Sequence, residues 1–272
     1  MTGGEEKADD AGHVIVSVEG PILTVRLNRP EKLNALTLGM HQGLQAALDR
    51  FAEDPALRIA ILTATGRAFC AGSDVKDAAV RRARGERALV LPRSGYGGIV
   101  ERFDLNKPVI AAVNGDALGG GFELALACDL IVAVEGAGFS LPEAKLGLVA
   151  IGGGPHRLVR AIGAKRTMDI ALTGRRVDAI EGLALGFVNR VVLANELSAT
   201  CREIAEVLLQ CGPKALAAAK QLVDTTLSFS SLQEAIAGQE RLTAMQVWRD
   251  SDEGSEGINA FAQKSPPRWT TG

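Results

Sequence analysis

An α/β fold with parallel strand pairing is predicted by three short, strongly apolar runs and a helical period beside them. Ile59-Ala60-Ile61-Leu62, Val109-Ile110-Ala111-Ala112-Val113 and Leu130-Ile131-Val132-Ala133-Val134 have no polar face. That is the pattern of strands covered on both sides, as parallel sheets require. Met40, Leu44, Leu48 and Phe51 recur at spacings of four and three and mark one helical face. Strands alternating with helices belong to the α/β class.

Taken in order, residues 1–12 are polar and acidic and are expected to form a disordered tail. Val14, Val16 and Val18 alternate with Ile15 and Ser17, and Leu23, Val25 and Leu27 alternate with Thr24, Arg26 and Asn28. Glu19-Gly20-Pro21 stands between them, so the two runs read as a hairpin that opens a sheet. Arg29-Pro30-Glu31-Lys32 breaks the second strand, and a helix over about 38–52 follows. Residues 77–100 are polar and arginine-rich (Arg81, Arg82, Arg84, Arg87) and show no clean period, so a mobile surface helix and loop is expected there. From Leu197 the pattern turns helical, with Ile204, Val207 and Leu208 on one face. Helices over 215–227 and 232–247 follow, set apart by Gly212-Pro213 and Ser228-Phe229-Ser230-Ser231. Pro266-Pro267 carries the end of the chain away from the last helix in extended form. No internal repeat is visible. The expected organisation is a tail over 1–12, an α/β core over 13–195 and a helical region over 196–272.

Composition removes several function classes. The chain has 272 residues, 47% of them hydrophobic and 23% charged, as in an ordinary folded domain. Its 30 basic and 32 acidic side chains leave a net charge of −2, without the basic excess of a nucleic-acid-binding domain. The three histidines (His13, His41, His156) lie far apart with no HExxH pattern, and the cysteines Cys70, Cys128, Cys201 and Cys211 form no CxxC pair. Neither a metal site nor a disulfide framework is expected. No apolar run reaches the length of a membrane span, and the first residues carry no basic, apolar leader, so a cytoplasmic location is expected.

Two glycine clusters invite a phosphate-binding reading. Gly115-Asp116-Ala117-Leu118-Gly119-Gly120 begins like a P-loop, but Gly121 stands where the lysine is required. Gly152-Gly153-Gly154-Pro155 does not give GxGxxG and reads as a tight turn. The first cluster follows the strand 109–113 and runs into Phe122-Glu123-Leu124-Ala125-Leu126, a good helix former. Glycines 119–121 therefore sit at a helix start, where amide N–H groups have no intrahelical partner. Such a start can hold an oxygen anion. Glu123 lies in the first turn of that helix. The small-residue segment Ala68-Phe69-Cys70-Ala71-Gly72-Ser73-Asp74 reads either as a second donor loop or as an ordinary strand-to-helix turn.

These segments, in this order, resemble the crotonase superfamily of enoyl-CoA hydratases and isomerases. The resemblance runs through Arg29-Pro30-Glu31-Lys32-Leu33-Asn34-Ala35-Leu36, Phe69-Cys70-Ala71-Gly72-Ser73-Asp74-Val75-Lys76, Lys107–Gly115 with Gly119–Glu123, Phe139-Ser140-Leu141-Pro142-Glu143-Ala144-Lys145-Leu146-Gly147, Gly152–Leu158 and Phe261-Ala262-Gln263-Lys264. It implies a crotonase-like spiral of ββα units with a C-terminal helical trimerisation region. It also implies an acyl-CoA thioester as ligand, with coenzyme A part of the substrate and no separate cofactor. The implied enolate-oxygen donors are the backbone amides of Ser73, where the family often has alanine, and Gly120. Lys32, Leu33, Ala71, Asp74, Val75 and Lys76 would line the CoA groove. Phe261 and Lys264 would approach the CoA of a neighbouring subunit in a trimer or dimer of trimers.

The resemblance also assigns an acid–base pair. Glu123 would help take a proton from water as its oxygen attacks C3, while Glu143 exchanges a proton with C2. Two carboxyls in one apolar cleft have their pKa values driven apart, which suits that division of roles. His156 is expected to support the site by capping or indirect contact. The leading expectation is an enoyl-CoA hydratase. The alternatives are an enoyl-CoA isomerase or other crotonase-type chemistry, and a non-catalytic acyl-CoA-binding protein.

Overall fold

The computed structural model describes residues 5–7, 12–86 and 91–269. The tail expected over 1–12 lies mostly outside these residues. Its described part, β1 (Glu5–Lys7), is a strand paired antiparallel with β2 (Val14–Glu19), so that stretch is not free chain. β2 turns into β3 (Ile22–Leu27) as the alternation predicts, with Val14, Val16, Leu23, Val25 and Leu27 buried.

After the hairpin comes α1 (Leu38–Glu53), which buries Met40, Leu44, Leu48 and Phe51. Thr37 caps its start by accepting from the Met40 amide. Its end is held by Lys107 Nζ, which donates to the carbonyls of Phe51 and Asp54 at 2.8 and 2.7 Å. These contacts satisfy backbone groups that a helix leaves open at its termini.

From here the chain repeats one move. It lays a strand in a first sheet and a short strand in a second, then enters a helix. β4 (Ile59–Ala64) and β5 (Ala68–Cys70) lead to α2 (Val75–Ala83). β6 (Val109–Val113) and β7 (Asp116–Leu118) lead to α3 (Gly120–Leu126). β8 (Leu130–Val134) and β9 (Gly138–Ser140) lead, through a turn over 143–146, to α4 (Gly154–Ile162). Then come α5 (Ala164–Thr173), β10 (Val177–Asp178), α6 (Ala179–Leu185) and β11 (Arg190–Val192). The first sheet runs β1-β2-β3-β4-β6-β8-β11 and is parallel from β3 onward; the second runs β10-β9-β7-β5 and is parallel from β9 to β5. This is the spiral of ββα units that the resemblance implies. Phe122, Phe139 and Phe187 meet in the core with ring centroids 5.1–5.2 Å apart.

The C-terminal region is helical as expected. α7 (Leu197–Leu209) buries Leu197, Cys201, Ile204 and Ala205 and packs on β4, β6 and β8, so it completes the core. α8 (Pro213–Thr226), α9 (Leu232–Gly238), α10 (Thr243–Arg249) and α11 (Glu253–Gln263) follow. The helix expected over 232–247 is broken by a tight turn at 239–241 and an extended Leu242. Glu253 joins this region together: its buried carboxylate accepts from the amides of Lys214 and Ala215 and so caps α8 from a distant part of the chain.

The segment 77–100 is where expectation and structure part. α2 is exposed and arginine-rich, but Ser94 and Tyr96 to Val100 are buried. Ser94 N donates to Gln45 Oε1 at 3.1 Å, and Gly97 N donates to His41 Nδ1 at 3.0 Å. The second half of this segment is a glycine-rich turn pressed against α1, not a surface loop. Residues 87–90 lie outside the described residues.

Candidate active site

The site forms where two loops, each leaving a strand of the second sheet, come together. The first runs from β5 to α2. It is fixed by the segment 33–36, which lies beside it in parallel: Ala71 N donates to Leu33 O, Leu36 N to Gly72 O and Asp74 N to Leu36 O at 2.8–3.0 Å. Asn34 anchors that segment with bonds to Thr65 O and Ala68 O, and it accepts from Arg29 N. The second loop is the start of α3. Gly72 sits at φ +89°, a conformation that side chains resist, and a β-carbon there would lie 3.1 Å from Gly120 N. A β-carbon at residue 72 would push the two loops apart by a few tenths of an ångström and would be strained at this φ.

The result is a pair of open donors. Gly120 N–H is at the first position of α3 and Ser73 N–H is skipped by the bonds to 33–36; neither amide has a protein acceptor among the described residues. Convergent unpaired amides at a helix start can hold a developing oxygen anion.

Two carboxyls flank them. Glu123, one turn into α3, is 3% exposed, and its Oε1 accepts from Gly154 N at 2.9 Å. The cluster 152–154, read from sequence as a tight turn, is the cradle of this carboxyl: a β-carbon on Gly152 would lie 2.6 Å from Glu123 Oε2. Burial above all, with a contribution from Glu143, raises the Glu123 pKa to about 7, against the lowering effect of the Gly154 and Gly152 amides. Glu143 follows β9, and a β-carbon on Gly119 would lie 2.8 Å from its Oε1. Its Oε2 is buried with no protein partner, and burial raises its pKa. An unpartnered buried acceptor marks a place for a ligand proton or a water.

One residue the sequence reading passed over completes the site. Tyr96, on the buried turn, is 3% exposed and places its hydroxyl 3.1 Å from Ser73 Oγ. A β-carbon on Gly120 would collide with that hydroxyl. The available signal was a lone tyrosine among glycines at 95–98, too weak without a period.

The remaining predicted residues divide. Leu33 pairs with Ala71, and Leu36 with Gly72, Ser73 and Asp74, while Lys32 directly precedes this pairing and Val75 and Lys76 directly follow it. Val75 and Lys76 are exposed there. The Asp74 carboxylate is occupied by the fold: it caps α2 through the amides of Lys76 and Asp77 and pairs with Arg29 at 2.8 Å. Phe261, 88% exposed, and Lys264 stand on α11 and its end, which is tied to α8 and α10. The structure does not bring these two to the amide loops within one chain. His156 is an exposed residue of α4 whose side chain caps no helix among the described residues; its neighbour Arg157 turns inward, where Nη2 donates to Val100 O at 2.8 Å beside Glu123. Among the described residues no group of His, Cys, Asp and Glu could hold a metal ion, and no helix is long and apolar enough to cross a membrane.

Comparison with known proteins agrees with this architecture. The sequence profile of the family enoyl-CoA hydratase/isomerase matches residues 17–272. The chain is 44% identical over 253 residues to a carnitinyl-CoA dehydratase of Salmonella arizonae, covering 92% of this chain and 95% of that one. It is 41% identical over 257 residues to a carnitinyl-CoA dehydratase of Proteus mirabilis, covering 93% and 97%. The crystal structure of an enoyl-CoA hydratase from Mycobacterium marinum superposes with a TM-score of 0.86 at 39% identity, over 96% of this chain and 99% of that one. With its two-sheet spiral and near full-length matches, the chain belongs to the enoyl-CoA hydratase/isomerase family and has the crotonase fold.

Proposed function

We propose that the protein hydrates the 2,3 double bond of a trans-2-enoyl-CoA thioester. The observation that carries this reading is the meeting of two unpartnered amides, Ser73 N–H and Gly120 N–H, beside two carboxyls of raised pKa, Glu123 buried and Glu143 half-buried. The thioester oxygen accepts from both amides, and the negative charge that develops on it is stabilised there. Each such donor is worth about 3–4 kcal/mol of barrier.

Glu123 in its ionised form takes a proton from water as the water oxygen bonds to C3. The electron pair of the double bond passes onto the thioester oxygen as enolate. Glu143, protonated, then delivers its proton to C2 as the enolate collapses. The product is a 3-hydroxyacyl-CoA, Glu123 now holds a proton and Glu143 is ionised. A pKa near 7 suits Glu123 to ionise and reprotonate near neutral pH. The CoA portion extends along the surface of Lys32, Leu33, Ala71, Asp74, Val75 and Lys76, where Lys76 meets a phosphate by charge attraction.

The 41–44% identity to carnitinyl-CoA dehydratases favours a second reading. The same groups run in reverse and remove water from a 3-hydroxyacyl-CoA whose acyl end carries a charged substituent. Exposed apolar side chains on the C-terminal helices (Val223, Leu227, Leu232, Ile236, Ile258, Phe261) support assembly into a homotrimer or dimer of trimers, in which Phe261 and Lys264 reach the CoA of the next subunit.

The test offers wild-type protein crotonyl-CoA, 3-hydroxybutyryl-CoA, carnitinyl-CoA and a 3-enoyl-CoA, and follows enoyl absorbance with product mass. Interconversion of crotonyl-CoA and 3-hydroxybutyryl-CoA is expected. Turnover of carnitinyl-CoA alone selects the second reading. Migration of the 3-double bond without hydration contradicts both, as does binding with no turnover of any substrate.

A further inference from the structure

Tyr96 brings a phenol into the gap between the two amide loops. Its ring is held edge-to-face against His41, with centroids 4.7 Å apart and planes at 80°. His41 is itself fixed, because Nδ1 accepts from the amide of Gly97 on the same turn as the tyrosine. The phenol oxygen rests against the start of α3 at Gly120 and lies 3.1 Å from Ser73 Oγ.

Counting protons on this pair exposes a surplus. Two hydroxyls carry two protons, and the bond between them uses one. Neither oxygen has another hydrogen-bond partner among the described residues. Tyr96 is 3% exposed and Ser73 is half-buried, so when Ser73 O–H donates to the phenol oxygen the phenol proton is the one left in the buried gap without a protein acceptor. A buried donor without an acceptor is costly, and a ligand oxygen placed there would take it. The groups around it are the two open amides of Ser73 and Gly120, which are donors and would draw the same ligand oxygen, and the carboxyls of Glu123 and Glu143, which act on the phenol electrostatically.

We infer that the Ser73 and Tyr96 hydroxyls form a relay giving the thioester oxygen a third, side-chain donor, with Ser73 O–H donating to the Tyr96 oxygen and Tyr96 O–H donating to the oxygen held by the amides. This rests on the reading that those amides bind an acyl-CoA thioester. The phenol is the terminal donor because it is the more acidic hydroxyl, and its bond strengthens when Ser73 donates to it. Burial raises its pKa well above the usual value, so it stays protonated at neutral pH. Ser73 is central to the device: alanine, common at this position in the family, would supply the amide but no relay.

The experiment uses 2,4-hexadienoyl-CoA, whose absorption moves to longer wavelength when its carbonyl is polarised, together with crotonyl-CoA kinetics. Wild type, Tyr96→Phe and Ser73→Ala are compared. Tyr96→Phe keeps the ring packing, and is expected to lower kcat about 10- to 100-fold with KM within about threefold, and to shrink the red shift. Ser73→Ala keeps the amide and is expected to lower kcat about 3- to 10-fold, with a smaller loss of red shift. A Tyr96→Phe variant with wild-type kcat and full red shift overturns the relay. So does one whose pH profile moves while the red shift stays whole, since the phenol would then serve a carboxyl. Should Tyr96→Phe fail to fold, Ser73→Ala decides alone: a reduced red shift supports the relay, and an unchanged one overturns it. If the wild type neither binds hexadienoyl-CoA nor turns over crotonyl-CoA, the acyl-CoA reading fails first and takes the relay with it.

Discussion

Glu123 is a carboxyl that the fold prefers to keep protonated. Between its ordinary pKa of 4.5 and its folded value of about 7, the native protein holds a proton that the unfolded chain has released. The stability linked to this group is therefore fully present below pH 4.5 and is lost as pH rises through 7. Glu123→Gln removes that loss. Between pH 5 and pH 8, urea titration should find wild type losing up to about 3 kcal/mol more than the variant. Activity moves the other way. In the proposed mechanism Glu123 acts ionised and Glu143 protonated, so kcat/KM should follow a bell, its rising limb set by Glu123 near 7 and its falling limb by ionisation of Glu143, and Glu123→Gln should lower kcat by about 10²- to 10⁴-fold. A flat profile from pH 5 to 8 would contradict its role as base. Gly120→Ala is the matching steric test. Its methyl meets the Tyr96 hydroxyl, and activity should fall at least tenfold even if the variant folds.

At the scale of elements, regular strands and helices were legible because burial imposes a period on sequence. The runs at 109–113 and 130–134 became β6 and β8 with those limits, and the Met40–Phe51 stripe became the buried face of α1. The turn at 94–100 was not legible. It is held by single bonds to Gln45 and His41 from another element, and nothing periodic records such bonds. The arginines before it suggested solvent, although the chain turns inward a few residues later. The cradle at 152–154 was read as a turn for the same reason, since its purpose lies in a carboxyl thirty residues away. Of the candidate site, Glu123 and the glycine start of α3 were read from the residues themselves, and the roles of Ser73, Gly120 and Glu143 came from the family resemblance; Tyr96, which the structure places among them, was passed over. His41→Phe tests the importance of the turn. It leaves the buried Gly97 N–H without its acceptor and should cost about 1–3 kcal/mol. Faster hydrogen exchange at 95–98 should accompany that loss; unchanged exchange would show that the turn is held by other means.

Across the whole molecule, the ββα move recurs with no repeated sequence, because the repeat is one of strand placement and each unit fills a different part of the core. The site lies at the ends of the second-sheet strands, where successive units come closest. β5 supplies the Ser73 loop, β7 the start of α3 and β9 the approach to Glu143. The C-terminal helices are joined to this body in part through the Glu253 cap on α8. Glu253→Ala should therefore destabilise the protein by about 1–2 kcal/mol and loosen α11 first, as hydrogen exchange would show. Phe261→Asp places a charge on the exposed apolar surface of that helix. In sedimentation it should lower the mass of the proposed assembly and leave the fold intact by circular dichroism, whereas an unchanged mass would mean that Phe261 lies outside the contact.

The most direct measurement is a crystal structure with a bound, slowly reacting enoyl-CoA thioester. The thioester oxygen should lie about 3 Å from both Ser73 N and Gly120 N, with C2 and C3 between the carboxyls of Glu123 and Glu143. An acyl group bound in another part of the molecule, or a carbonyl turned away from both amides, would contradict the proposed function.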